Sequence, residues 1–281
     1  VAGGVVDGKV ILVGGFGATG PTQAVDIYDL ATRRWTQGPP LPVPVNHAMV
    51  ATVGDTFYVV GGYIGVTLGG AARPASVPTD RVFAYRAGLW SELPPMPAPR
   101  AAGAATRVGR DIFVVGGAST AGLAEDTYAY DVDEGGWTTH PGLPTPREHL
   151  GAATSKGAVY AIGGRVAGVA TNLASVDRFD PDSGKWTSAT PLPRPRGGLA
   201  AVGIHSGRII AVGGEAQDRA FGDVDVLDTR RMTWTSLPDM PTARHGLAVA
   251  FDRGILHTFA GGPEPNLSHS SAHESLDIDC S

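Results

Sequence analysis

Four arginines return at matching points of the chain, Arg100, Arg147, Arg196 and Arg244, with Val45 in the equivalent place further upstream. Brought together, their guanidinium groups could bind a carboxylate or phosphate through paired hydrogen bonds. The other use of such a residue is to tie one repeat to the next through backbone carbonyls or an acidic side chain, since repeated residues usually serve the repeat. His47 and His149 stand two places beyond the arginine position and His245 one place beyond, so three imidazoles accompany the guanidinium set. His269, His273 and Glu274 have metal-ligand spacing only on a helix, and their Ser-, Pro- and Gly-rich surroundings predict a solvated loop instead. Cys280, the only cysteine, stands next to the last residue; it forms no internal disulfide, is poorly placed for a nucleophile, and reads as incidental.

The elements that must position these groups follow from a repeat. Residues 11–35 run Ile11-Leu12-Val13-Gly14-Gly15, a polar loop, Val25-Asp26-Ile27-Tyr28-Asp29, a short turn and Arg34-Trp35. Paired glycines after an apolar run recur at Gly61-Gly62, Gly116-Gly117, Gly163-Gly164, Gly213-Gly214 and Gly261-Gly262, and tryptophans follow at Trp90, Trp137, Trp186 and Trp234. Successive first glycines are 47, 55, 47, 50 and 48 residues apart. An apolar residue precedes an aspartate at Tyr28-Asp29, Tyr130-Asp131, Phe179-Asp180 and Leu227-Asp228.

By these marks the chain resembles the kelch-repeat β-propeller family over all 281 residues. The resemblance implies an all-β fold: a six-bladed propeller of four-stranded antiparallel blades forming one domain, 1–281. In the second repeat, strands are predicted at 48–53, 56–60, 81–85 and 89–92, with Gly54-Asp55 as a hairpin turn. Val1 falls inside the first strand of blade one, residues 275–279 read as the third strand of blade six, and no tryptophan strand follows. The expected count is therefore 23 strands, with the missing outer strand supplied from upstream of Val1 and the chain a trimmed or partly ordered product of a longer one; the alternative is a three-stranded final blade with an exposed edge. The loops after the second strands, 63–80, 165–174, 215–222 and 263–273, share a face with the connections between blades, and that face is where binding is expected.

Composition narrows the partners. A net charge of −5 and the absence of a basic run argue against nucleic acid. No apolar stretch approaches the roughly 20 residues that span a bilayer, which argues against a membrane-embedded form. The 40 glycines and 22 prolines would suggest disorder if scattered, but they fall at fixed points of each repeat, where tight turns need them.

On the resemblance, the expected function is non-catalytic binding of a protein or a carbohydrate-like ligand, by a monomer. Arg100, Arg147, Arg196, Arg244, Glu148, His149 and Tyr63, joined by Glu215 and Arg219, form the expected contact surface, without a cofactor. Alternate blades are taken to be too far apart across the channel for His47, His149 and His245 to share a metal, whose bonds reach only about 2.1 Å. Compartment is open, with analogy to exported or surface kelch proteins. Two catalytic relatives of the architecture fail on residues: the cysteine–tyrosine crosslink of galactose oxidase-like enzymes and the Glu-x-x-x-Asp-x-x-x-His iron motif of plant specifier proteins have no match. A third is the alternative reading. The loop Gly214-Glu215-Ala216 through Arg219 resembles that of the sialic acid mutarotase family, which implies Glu215 as general acid/base and Arg219 as carboxylate clamp on an acidic sugar. The arginine follows the glutamate by four residues here rather than six.

Overall fold

The computed structural model describes residues 1–17, 20–66 and 75–278. Cys280, Asp279 and part of the 63–80 loop lie outside them. Strands alternate in hairpins that form six antiparallel blades, each running outward from a central channel in chain order, and among the described residues three of the loops add a two-stranded hairpin of their own: Phe16–Gly17 with Gly20–Pro21, Tyr63–Val66 with Ala75–Pro78, and Ala118–Ser119 with Gly122–Leu123. Blade one holds Ala2–Val6, Lys9–Val13, Val25–Asp29 and Arg34–Gln37; blade two holds Met49–Val53, Thr56–Val60, Val82–Arg86 and Leu89–Leu93. Blade three holds Ala104–Val108, Asp111–Val115, Asp126–Asp131 and Gly136–Pro141; blade four holds Gly151–Ser155, Ala158–Ile162, Val176–Asp180 and Lys185–Ala189. Blade five holds Ala200–Ile204, Arg208–Val212, Val224–Asp228 and Thr233–Leu237, and blade six Ala248–Asp252, Ile255–Phe259 and His273–Asp277.

The six innermost strands lie against one another in cyclic order, and Ala2–Val6 meets Ala248–Asp252, so the sheets close into a ring. Among the described residues blade six has three strands, as expected, but its third begins at His273, two residues earlier than the sequence predicts. His273 thus leaves the predicted solvated loop: its ring stacks on Phe259 at 4.2 Å.

The second strand of each blade has a neighbouring strand on either side and a blade on either face. Runs such as Val10-Ile11-Leu12-Val13 are therefore buried at every position. Between blades one and two, Ile11, Val13 and Val25 share an apolar cluster with Phe57, Val59 and Phe83.

Each repeated mark has a backbone task. The aspartate after the aromatic or apolar residue closes the turn to the fourth strand: Asp29 accepts from the N–H groups of Ala31 and Thr32, Asp131 from Asp133 and Glu134, Asp180 from Asp182 and Ser183, Asp228 from Arg230 and Arg231. Those N–H donors hold all four carboxyls below the ordinary aspartate range. The tryptophans staple blade to blade: Trp90, Trp137, Trp186 and Trp234 donate Nε1–H to the carbonyls of Pro39, Pro94, Pro141 and Thr190.

The glycine pair receives the connection to the next blade. Gly163 has φ +61°, and a Cβ there would stand 2.7 Å from the Arg196 carbonyl oxygen, which accepts from Gly164 N–H at 3.0 Å. In blade six the equivalent left-handed pair is Ala260-Gly261 (φ 53° and 87°), so the sixth glycine pair of the sequence is out of register by one.

Candidate functional site: the channel mouth on the long-loop face

The connection entering each blade forms a short bridge with the residue just after that blade's glycine pair: Asn46 with Tyr63, Ala101 with Ala118, Glu148 with Arg165, Gly197 with Glu215, His245 with Gly262. One residue further on, the connections hydrogen-bond to each other around the channel. Ala102 N–H donates to His47 O, His149 to Ala102, Gly198 to His149 and Gly246 to Gly198, at 2.7–3.0 Å. These five residues all have positive φ, which turns the chain into the inner strand and draws the rim tight.

The side chains of that rim touch in sequence. The His47 ring lies 5.7 Å from Phe16, 5.8 Å from Tyr63 and 4.9 Å from His149. His149 Nδ1 stands 3.2 Å from Glu148 Oε1, which meets Arg165 Nε at 3.4 Å. Arg165 Nη1 donates to Glu215 Oε1 at 3.0 Å, and the same oxygen is 3.7 Å from His245 Nδ1. The other Glu215 oxygen accepts from Asn266 N–H at 2.9 Å, while Asn172 Nδ2 donates to the Glu215 carbonyl at 2.5 Å. Two carboxylates share one guanidinium at this mouth.

Of the expected site residues, Tyr63, Glu148 and His149 do gather at this mouth. The four arginines do not form its surface. Each is at most 2 % exposed, below the rim, and is held by partners within and between blades, although Arg100 Nε, Arg196 Nε and Arg196 Nη1 make no hydrogen bond. Arg147 donates to the carbonyls of Gly163, Thr145 and Ala161 and pairs with Asp177 at 2.8 Å. Arg196 pairs with Asp225, and Arg244 with Glu274. Arg100 lies over the Tyr128 ring at 4.2 Å and donates to Asp126 O. Their carbonyls accept from the preceding blade's second glycine, so the arginines are inter-blade ties, and burial takes them out of any contact surface.

Arg219 is also displaced: it is exposed and pairs with Asp218 at 2.7 Å, whereas the guanidinium on Glu215 belongs to Arg165. The expected wide separation of alternate blades is corrected by the contact of His47 with His149, because the hydrogen-bonded rim constricts the channel. Among the described residues no three His, Cys, Asp or Glu side chains are grouped to hold a metal. Arg165, Asn46, Phe16 and Asn172 escaped the sequence reading; Phe16, Tyr63, Arg165 and Glu215 share one signal, the place immediately after the glycine pair.

Electrostatics at the mouth predict acid sensitivity. Burial, reinforced by His149 and Arg165, pushes the His47 imidazole from 6.5 down to about 3. His149, then Arg165, hold the Glu148 carboxyl below its usual range. A depressed folded pKa means stability present above the unfolded value and lost as pH falls below it. Between pH 7.5 and 5 the protein should lose about 2 kcal/mol through His47 alone. Urea unfolding of His47→Asn, a residue that tolerates the left-handed backbone, should show a flatter profile over that range. Parallel profiles for variant and parent would show that the ring is hydrated.

The sequence comparisons agree with this architecture. The family model for the KLHDC2/KLHL20/DRC7 Kelch-repeats domain matches residues 46–262, and the Kelch motif model matches residues 1–42. Kelch-like protein terF of Aspergillus terreus is 31% identical over 257 residues, 86% of this chain and 55% of that protein. Human Kelch-like protein 34 is 29% identical over 252 residues, 87% of this chain and 32% of that protein. Beta-scruin of Limulus polyphemus is 27% identical over 208 residues, 71% of this chain and 22% of that protein. The chain thus spans about half or less of the length of these relatives. The solved structure of YjhT superposes with a TM-score of 0.82 at 14% identity, covering 99% of this chain and 94% of that one, which is a likeness of fold. With a ring of six sheets in which glycine, aspartate and tryptophan recur at fixed places, and a family match over most of its length, this chain belongs to the kelch-repeat family.

Proposed function

We propose that the chain is a non-catalytic binding module whose channel mouth receives a protein segment or carbohydrate-like ligand that donates hydrogen bonds or carries positive charge. The observation behind this reading is the Glu148–Arg165–Glu215 chain, in which a single guanidinium faces two carboxylates. Such a mouth offers more acceptors than donors and repels an anion. Phe16, Tyr63 and His47 beside it supply ring faces for a cation or a sugar.

A thermal-shift panel of neutral sugars, sugar acids, and lysine-rich and glutamate-rich peptides tests the reading. A neutral or cationic probe at a hundredfold its Kd should add about 2.7 kcal/mol of stability, and Glu148→Gln should weaken it. Stabilisation by sugar acids alone would sink the proposal. A catalytic reading draws on one fact, that the Glu215 carboxylate does meet a guanidinium at the mouth. Its side chain is only 3% exposed, however, and is held by Arg165 and by Asn266 N–H, which sets it back from any substrate at the mouth. NMR of anomer exchange in an acidic sugar should therefore show no acceleration by the protein; acceleration lost in Glu215→Gln would establish the enzyme instead.

A further inference from the structure

Arg100, Arg147, Arg196 and Arg244 fill equivalent slots between successive blades, yet one of them has no counter-charge. Arg147, Arg196 and Arg244 meet the carboxylates of Asp177, Asp225 and Glu274 at 2.7–2.8 Å. At the same register position blade three carries Tyr128, which pairs with Val114 as Asp177 pairs with Ala161. Arg100 is 2% exposed and, among the described residues, makes no ion pair. Its guanidinium lies over the Tyr128 ring and donates from Nη1 to Asp126 O at 2.6 Å, while Nε is buried without an acceptor. Arg147, by contrast, places Nε, Nη1 and Nη2 on the carbonyls of Gly163, Thr145 and Ala161 in addition to its aspartate.

We propose that Arg100 is a binding site for a small monovalent anion held between blades two and three. Arginine keeps its charge when buried, so this slot cannot relieve itself by releasing a proton. A buried cation without an opposite charge opposes folding, and a ring face is a weaker counter-charge than a carboxylate. The unused Nε–H and the guanidinium edge beside it supply charge-assisted donors for an anion. Enclosure selects for size: a side chain this covered favours a small ion over a sugar acid or a peptide carboxylate. The wall beside it is adaptable. Next to Gly61 the Arg100 carbonyl is packed with the methyl groups of Met49 and Met96, and in blade six the methionine at the place of Met96, Met240, puts its sulfur 3.8 Å from Arg244 Nη2. Thioether side chains repack readily, so an ion can be admitted at the guanidinium without moving the backbone.

Chloride is the probe. Urea unfolding of the parent chain in mixtures of sodium chloride and sodium gluconate, whose anion is too large for the slot, should show stability rising with chloride at constant ionic strength. Above the Kd of the site, each tenfold rise in chloride should raise the ratio of folded to unfolded chain about tenfold. Tyr128→Asp gives Arg100 the partner that holds Arg147, and should abolish that response. Arg100→Met removes the cation, keeps an unbranched stem, and should abolish it too. Each comparison reads the slope with chloride rather than stability itself, so a less stable variant still reports, and general salt effects act on all three chains alike. A parent chain indifferent to chloride, or a chloride response that survives either change, would overturn the proposal.

Discussion

Replacing Arg147 by alanine is expected to destabilise the propeller by roughly 3–5 kcal/mol and to lower its melting temperature by about 10 °C. The side chain is fully buried, its partner Asp177 is 7% exposed, and the guanidinium also satisfies three backbone carbonyls. Truncation leaves a buried carboxylate without a counter-charge, and that desolvation, rather than the lost attraction, sets the size of the effect. Urea unfolding at pH 7 measures it directly. A loss under about 1 kcal/mol, the range of exposed pairs, would mean that water reaches Asp177.

The ring itself indicates how the loss can be undone. The same slot is filled three ways within one molecule. Blades four, five and six use an ion pair, blade three sets Arg100 on the Tyr128 ring, and blade two has Val45 and Phe83 in one apolar cluster. The register shows that Phe83, Tyr128 and Asp177 are equivalent, each opposite the same point of its second strand. Slot and partner therefore change together from blade to blade. Arg147→Val combined with Asp177→Phe copies blade two into blade four and should recover most of the stability lost by Arg147→Ala, as expected when an apolar pair replaces a buried ionic one. A double variant as unstable as the single change would show that the carbonyl contacts, not the paired charge, carry the tie.

This also explains what could be read from the sequence. Glycine pair, aspartate and tryptophan each perform one backbone task in at least four blades, so their physics leaves a periodic trace, and the blade count and the 23 blade strands follow. The exceptions are local: Ala260 adopts a left-handed backbone without being glycine, which slid the sixth pair by one place. The arginines were visible, but repetition cannot tell a rim from an interior, and burial decided for the interior. The mouth was the least legible part. Its residues occupy one position per blade, yet that position holds Phe16, Tyr63, Ala118, Arg165, Glu215 and Gly262, with no common chemistry. Arg165 and Glu215 meet across 50 residues of chain, and nothing in either local sequence announces the other.

Arg165→Ala should accordingly be the most damaging change at the mouth, costing about 3 kcal/mol at pH 7. The guanidinium is 12% exposed and Glu215 3%, so the pair sits near the low end of the range for buried partners. Without it, Glu148 and Glu215 face each other across the rim with no guanidinium between them, and like-charge repulsion opposes the folded state. Adding Glu215→Gln should therefore close most of the gap between variant and parent at pH 7, because the amide keeps an acceptor for Asn266 N–H without a charge. A gap that Glu215→Gln leaves open would place the loss in packing of the arginine stem rather than in the two carboxylates, and the acceptor-rich character of the mouth would then lose its structural basis.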